Sequence, residues 1–322
     1  MIAGIVAGLV ALALTELVRR NAVRLRLVQI PNHRSSHTIP TPAGGGVAIA
    51  VVATLAGLAA GFFGGTDLAV IAGFAAALAV VGYADDVLDI SARWRFLIQF
   101  LVVAGLVWII QPLAPAQPLF AGLAGAVLVV AGVWWINLYN FMDGIDGIAG
   151  SQAIAILGCA LWLVHGGDPI EALWIAATIG AVAGFLWFNW PPARIFLGDV
   201  GSNYLAVAIL GLALHTSAEG TVSPAAWAIL PAVFVTDATL TLLRRMLTGQ
   251  SWFSAHRSHA YQHLSRRWGH RPVTLLYLAL TIAWCLPLAL WTNADPAMAW
   301  LTLPLAYAPL LVFVFVSKAG EA

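Results

Sequence analysis

Apolar runs long enough to cross a hydrocarbon layer of ~30 Å as helices follow one another along nearly the whole sequence. They fall at about Ile2–Val18, Ala43–Gly65, Leu68–Ala84, Phe96–Ile110, Leu119–Ile136, Ile148–Val164, Ala172–Phe188, Tyr204–Leu214, Ala225–Leu243, Val273–Trp291 and Met298–Val316. Backbone polar groups in lipid must be satisfied within the segment, so these runs are expected to be helical. The sequence therefore predicts an all-α polytopic membrane protein with about eleven transmembrane helices, a single integral domain over residues 1–322. Its hydrophobic share is 61%, against roughly 45–50% in soluble domains. A chain this apolar is not expected to bind nucleic acid. Cys159 and Cys285 sit inside apolar runs and read as small core residues, not as a disulfide or a nucleophile. No basic stretch precedes the first run and five arginines follow it, which marks a retained span and not a cleaved signal.

If the spans alternate in direction, the connections between them fall into two sets. All 15 Lys and Arg residues belong to one set. Arg19, Arg20, Arg24, Arg26 and Arg34 follow the first run, Arg93 and Arg95 the third, and Arg194 the seventh. Arg244, Arg245, Arg257, Arg266, Arg267 and Arg271 follow the ninth, and Lys318 the last. By the positive-inside rule that face is cytoplasmic, with the N-terminus outside and the C-terminus inside. The same face carries Asp85, Asp86, Asp89, Asp143, Asp146 and Asp199, with six of the eight histidines. The opposite connections hold Asp67, Asp168, Glu171, Glu219 and Asp295, which read as ordinary acids at helix ends. Polar chemistry is thus gathered at one membrane surface.

Asp85-Asp86 closes the third span. Two adjacent carboxylates repel, and a divalent cation or a shared proton relieves that; the plainer reading is a solvated pair at a helix end. In the stretch "NLYNFMDGIDGIAG", Asn137, Asn140, Asp143 and Asp146 recur every third position, which would spread them over half the circumference of a continuous helix. Gly144 and Gly147 argue against one. Asn137 and Asn140 are therefore placed on the last turn of the fifth span, Asp143 in a tight turn and Asp146 near the N-cap of the sixth. After the seventh span, Pro191-Pro192 stops a helix, Arg194 offers a donor to phosphate, and Gly198-Asp199-Val200-Gly201 is expected to set Asp199 in a flexible turn.

The segment "SAHRSHAYQHLSRRWGHR" predicts an amphipathic interfacial helix near 254–268, with His256, His259, His263 and Arg267 on one cationic arc. A basic anchor for anionic headgroups is the plainer reading. With no cysteine nearby and carboxylates abundant, magnesium or manganese suits the site better than zinc. Asp237 lies inside the ninth span and is expected to pair with Arg244 or Arg245. Glu16 has local partners in Arg19 and Arg20. Gly44, Gly45 and Gly46 open the second span; they either present amides to an anion or serve packing, and no nucleotide P-loop is present.

Taken in order, "PNHRSSHTIPTPAGGG", "DD", "NLYNFMDGIDGIAG", "NWPPARIFLGDVGS" and "HRSHAYQH" resemble the cytoplasmic motifs of the polyprenyl-phosphate N-acetylhexosamine-1-phosphate transferase superfamily, from about Pro31 to His263. The resemblance implies transfer of a sugar phosphate from a UDP-N-acetylhexosamine to undecaprenyl phosphate, with release of UMP, at the cytoplasmic face of the bacterial inner membrane. It implies Mg²⁺, or Mn²⁺, as cofactor, and relatives of this kind are often homodimers. Residue by residue, it implies Asp85 and Asp86 as the catalytic pair, with Asp85 deprotonating or positioning the lipid phosphate. Asp199 matches the metal-binding aspartate, so Asp85, Asp86 and Asp199 form the expected metal set. Asn137, Asn140, Asp143 and Asp146 match residues around the nucleotide and metal, Asn189 a nucleotide contact, and His256, His259 and His263 the histidine motif that holds phosphates. Arg194 and Arg257 are added as substrate contacts.

His37, another candidate contact, stands where the peptidoglycan branch often has a lysine, and "HRSHAYQH" differs from that branch's histidine triplet. Both point toward enzymes that start O-antigen or related surface glycans. The identity of the N-acetylhexosamine, and the choice between direct attack and a covalent intermediate, stay open. Elementary electrostatics agrees with such chemistry: two phosphates at ~4 Å, with an effective dielectric near 20, repel by about 4 kcal/mol per pair of unit charges. Cations and acids on one face answer that need. An ion-coupled transporter would instead place its acids near the bilayer midplane, and a lipid-binding scaffold would not need the acids.

Overall fold

A computed structural model of the chain describes residues 2–30, 39–111, 118–250 and 256–321. Every apolar run lies on helix, as lipid demands: α1 (Ile2–Asn21), α2 (Gly46–Phe62), α3 (Thr66–Leu88), α4 (Ala92–Ile110), α5 (Pro118–Phe141), α6 (Ile148–Leu163) and α7 (Pro169–Asn189). They are followed by α8 (Gly198–Ala218), α9 (Pro224–Ile229), α10 (Ala232–Leu247), α11 (Ala260–Trp268), α12 (His270–Leu280), α13 (Leu286–Ala294) and α14 (Ala299–Val316). Among the described residues, eight stretches are long and apolar enough to cross a membrane: α1, α3, α4, α5, α7, α8, the α12–α13 pair and α14. The shorter apolar helices α2 and α6 accompany them.

Two runs differ from the expectation. The ninth is divided, because Pro231 interrupts it and leaves a 6-residue α9 and a 16-residue α10. The eighth, expected to be short, is a 21-residue helix, because the polar residues from Gly198 to Asn203 join its first turns. This helix lies at the centre of the bundle: 78% of its membrane window is buried, against 22% for α1 and for α14.

Small residues let α8 approach its neighbours closely, the usual device where lipid gives no hydrophobic drive to pack. A Cβ on Gly46 of α2 would collide with the Gly201 main chain, and one on Gly82 of α3 with the Asp199 carbonyl. Gly82→Ala is therefore expected to destabilise the protein by about 1–3 kcal/mol, the common cost of overpacking, measured as a lower unfolding temperature in detergent. An unchanged temperature would mean that α3 and α8 are not in backbone contact.

The α1–α2 connection returns through a two-stranded antiparallel pair, β1 (Val28–Gln29) with β2 (Thr41–Pro42). The chain before α8 lies alongside: Phe196 N donates to the Pro42 carbonyl, while Gly45 N and Gly46 N donate to Phe196 and Leu197 carbonyls at 2.9 Å each. The amides of Gly45 and Gly46 are thus used by the backbone, and these glycines serve packing. Cys159 and Cys285 are free and buried. Glu16 pairs with Arg19 at 2.7 Å and Arg20 at 2.6 Å.

Candidate active site

Four helix ends meet where the acids gather. The last turn of α3 carries Asp85 and Asp86, the first turn of α4 Arg95, the last turn of α5 Asn137 and Asn140, and the first turn of α8 Asp199. Asp143 and Asp146 follow in the connection to α6. Asn140 Nδ2 donates to Asp199 Oδ1 at 2.8 Å and to Ser202 Oγ at 2.9 Å. Asp199 N donates to Asp86 Oδ1 at 3.3 Å. Arg95 Nη1 stands 2.6 Å from Asp85 Oδ2 and 3.8 Å from Asp199 Oδ2. Asp199 is therefore not in a flexible turn. As the second residue of α8 it sits at the positive end of the helix dipole, which favours a carboxylate there.

A divalent cation or a shared proton would relieve the electrostatics here. Asp86 Oδ2 is buried without a hydrogen-bond partner among the described residues. The Asp143 carboxyl is pushed well above the usual carboxylate range, first by burial and then by the charges of Asp199, Asp86 and Asp146. An orphan carboxylate oxygen beside crowded acids fits a hard divalent ion. Among the described residues no three of His, Cys, Asp and Glu form a ready-made ligand group, since Asp85 is turned to Arg95 and to the Ile90 amide at 2.8 Å.

Two polar cavities open here. The larger, about 250 Å³, is lined by Asn140, Asp143, Asp146, Asn189, Asp199 and neighbours. The smaller, about 40 Å³, is lined by Asp85, Arg95, Gln99, Asn137 and others, and it shares Asn140 and Asp199 with the first. Asp199 and Asn140 thus form a wall between two compartments. Asn189 braces the larger one: its Oδ1 accepts from Gly147 N at 3.0 Å and its Nδ2 donates to the Ile195 carbonyl at 2.9 Å. Asp146 does not cap α6; Gly147 holds that position with φ 76°, and Asp146 Oδ2 accepts from Ala193 N at 3.0 Å.

The histidine segment departs from expectation. α11 runs over nine residues from Ala260, not from 254, and residues 254 and 255 lie outside the described residues, as does His37. Beside a capping box of His259 and Gln262, Asp237 fixes that start. Its Oδ1 accepts from Ala260 N at 2.8 Å, and its Oδ2 accepts from Tyr261 N at 3.0 Å and from the Tyr277 hydroxyl at 2.6 Å. A fully buried carboxylate thereby caps α11 and leaves His256 and His259 before the helix. Asp237 does not pair with the arginines named from sequence: Arg244 binds Glu321 at 2.8 Å, and Arg245 reaches Gln250 at 2.8 Å and Ser258 at 3.2 Å.

His256 and His259 stack with centroids 4.9 Å apart, and His259 lies beside Phe141 at the end of α5. Burial, then His259 and Arg245, pushes the His256 pKa down to about 3, so its ring is neutral at pH 7. The structure does not bring the remaining basic candidates to the acids. His263 Nδ1 meets Arg266 at 3.2 Å and lines a separate crevice with Arg267 and Lys318. Arg257 is exposed and lines neither cavity. Arg194 donates to the Trp187 carbonyl at 2.8 Å and covers the Phe188 ring at 4.7 Å. In their place stand residues that sequence reading passed over: Arg95, Gln99, which accepts from Asn137 Nδ2 at 2.7 Å, and His270, which lines the larger cavity. Arg95 had a usable signal, since it shares one connection with Asp85, ten residues on.

Comparison with known proteins gives the family. Residues 68–217 match the family model described as glycosyl transferase family 4. A probable undecaprenyl-phosphate N-acetylglucosaminyl 1-phosphate transferase of Bacillus subtilis is 30% identical over 277 residues, covering 82% of this chain and 76% of that protein. The undecaprenyl-phosphate alpha-N-acetylglucosaminyl 1-phosphate transferase of Salmonella typhi is 31% identical, covering 79% of this chain and 72% of its own. A phospho-N-acetylmuramoyl-pentapeptide-transferase of Mycobacterium ulcerans is 30% identical over 79% of this chain and 84% of its own. With residues of four of its five motifs on the walls of two joined polar cavities and relatives matched along most of its length, the chain belongs to glycosyl transferase family 4, the polyprenyl-phosphate N-acetylhexosamine-1-phosphate transferases.

Proposed function

We propose that the chain transfers an N-acetylhexosamine-1-phosphate from a UDP-sugar to undecaprenyl phosphate and releases UMP, at the cytoplasmic face of the bacterial inner membrane, to begin O-antigen or another surface glycan. The observation that carries this reading is the wall of Asp199 and Asn140 between two polar cavities, one for each reactant. The larger cavity receives the donor nucleotide. In the smaller, Arg95 attracts the acceptor phosphate, and Asp85, held by that arginine, positions it or takes its proton. An acceptor phosphate oxygen then bonds to the phosphorus that bears the sugar, and the bond from that phosphorus to the UMP oxygen breaks. Mg²⁺, or Mn²⁺, would be held by Asp86 and Asp199 beside Asp143, and would cancel charge on the two phosphates and the departing UMP.

The cytoplasmic placement rests on the basic residues, since Arg95, Arg194, Arg244 and Lys318 fall at the same helix ends as the acids. Eleven crossings with the N-terminus outside follow if α2, α6 and the α9–α10 pair each span. The test supplies purified protein with undecaprenyl phosphate, Mg²⁺ and a panel of UDP-N-acetylhexosamines, and measures UMP. Release with one donor names the sugar. The similarity to the Mycobacterium ulcerans protein favours one further donor, UDP-N-acetylmuramoyl-pentapeptide; UMP from that donor alone would move the chain to peptidoglycan synthesis. No UMP from any donor would overturn the reading.

A further inference from the structure

The larger cavity has a wall that no sequence motif accounts for. His270 opens α12 directly after Gly269, whose φ of 82° is a setting that suits glycine, and its ring lines the cavity near Asp146 and Gln262. Nδ1 stands 3.1 Å from Asp146 Oδ2 and 3.3 Å from the Asp146 amide nitrogen. Asp146 is itself pinned: besides Ala193 N on Oδ2, its carbonyl accepts from Thr274 Oγ1 at 3.0 Å. With Nδ1 engaged by Asp146, Nε2 is the polar atom left to the ring, and it has no hydrogen-bond partner among the described residues. The Asp146 amide donates to Nδ1, and a hydrogen bond at one imidazole nitrogen is the general way to fix the other for a ligand. His270 is also the one cationisable side chain among the described residues lining this cavity, whose remaining charged groups are Asp143, Asp146 and Asp199.

Placement says which reactant it meets. Asp199 and Asn140 line both cavities, but His270 and Asp146 line only the larger one, so they face the reactant that fills it and lie off the wall where the phosphates meet. The same cavity is lined by Phe196, an aromatic residue of the kind on which bases stack. Resting on the reading of a UDP-sugar donor, we propose that His270 Nε2 hydrogen-bonds the nucleoside of that donor, with Asp146 fixing the ring.

Three variants separate contact from brace. His270→Asn keeps a polar atom near Nδ1 and removes the one at Nε2; His270→Gln reaches the Nε2 position; His270→Ala removes both. Isothermal titration with UMP, and steady-state kinetics with the donor found active, are the readouts, with unfolding temperatures to confirm that each variant is folded. In His270→Ala and His270→Asn, the UMP Kd and the donor KM are expected to rise together, roughly 2- to 12-fold, as for one net hydrogen bond. His270→Gln recovers part of the loss, and the KM for undecaprenyl phosphate stays unchanged. A raised donor KM with unchanged UMP affinity would put His270 on the sugar and overturn the nucleoside assignment. Recovery by His270→Asn but not by His270→Gln would reduce it to a brace for Asp146. Wild-type protein that binds UMP in this His270-dependent way but turns over no UDP-sugar would sink the proposed function and leave the contact standing.

Discussion

Asp199→Asn is expected to lose turnover by roughly 10²–10³-fold or more, the scale of removing one preorganised electrostatic group from a reaction centre, while the protein inserts and unfolds near the wild-type temperature. The two effects separate for a physical reason. Asparagine keeps the oxygen that accepts from Asn140 Nδ2, so the α5–α8 contact survives. The change removes one charge from a cluster whose members repel, which if anything relaxes the fold. Asp85→Asn is the companion variant. It leaves Arg95 without its closest carboxylate and removes the group proposed to handle the acceptor phosphate. UMP release and thermal unfolding, measured on the same preparations, give the answer. Near-normal rates in both variants would refute the placement of the reaction at these acids.

The second large effect concerns stability. Asp237→Ala would strand the Ala260 and Tyr261 amides and the Tyr277 hydroxyl in a dry interior. Each buried donor left unsatisfied costs about 1–3 kcal/mol, so a loss of several kcal/mol is expected even with partial relaxation. Asp237→Asn should fall between, since it keeps one accepting oxygen in the same volume. Amide exchange at Ala260 and Tyr261, with the unfolding temperature in detergent, reads this directly. Full protection of both amides in Asp237→Ala would show that α11 does not depend on this cap.

Much of this was legible in the sequence, because lipid leaves backbone few choices. Every apolar run is helical, and Asp85, Asp86, Asn140, Asp143 and Asp199 do meet, since each stands at a helix end on the arginine-bearing side. The misreadings share one cause: local spacing was asked to answer questions set by distant contact. Asp237 was assigned to arginines a turn or two away, yet besides Thr241, one turn on, its hydrogen-bond partners are 23, 24 and 40 residues distant. That cap moved the start of α11, so a wheel drawn through His256 and His263 described no real face. Arg194 looked like a phosphate donor by its motif, but Trp187 and Phe188 hold it outside the cavity. His270 stood in the quoted histidine segment without being singled out, because its value comes only from meeting Asp146 across 124 residues.

The backbone contacts of Gly46 with Gly201 and of Gly82 with Asp199 have a consequence for how such a catalyst can diversify. Main chain against main chain leaves no adjustable atoms, so substitutions elsewhere cannot easily shift the spacing of the reacting acids. The opposite side of the larger cavity carries Gln262 and His270, from the separate segments α11 and α12, joined through a single glycine. That side can therefore take up substitutions that reshape the cavity while the acids stay where they are.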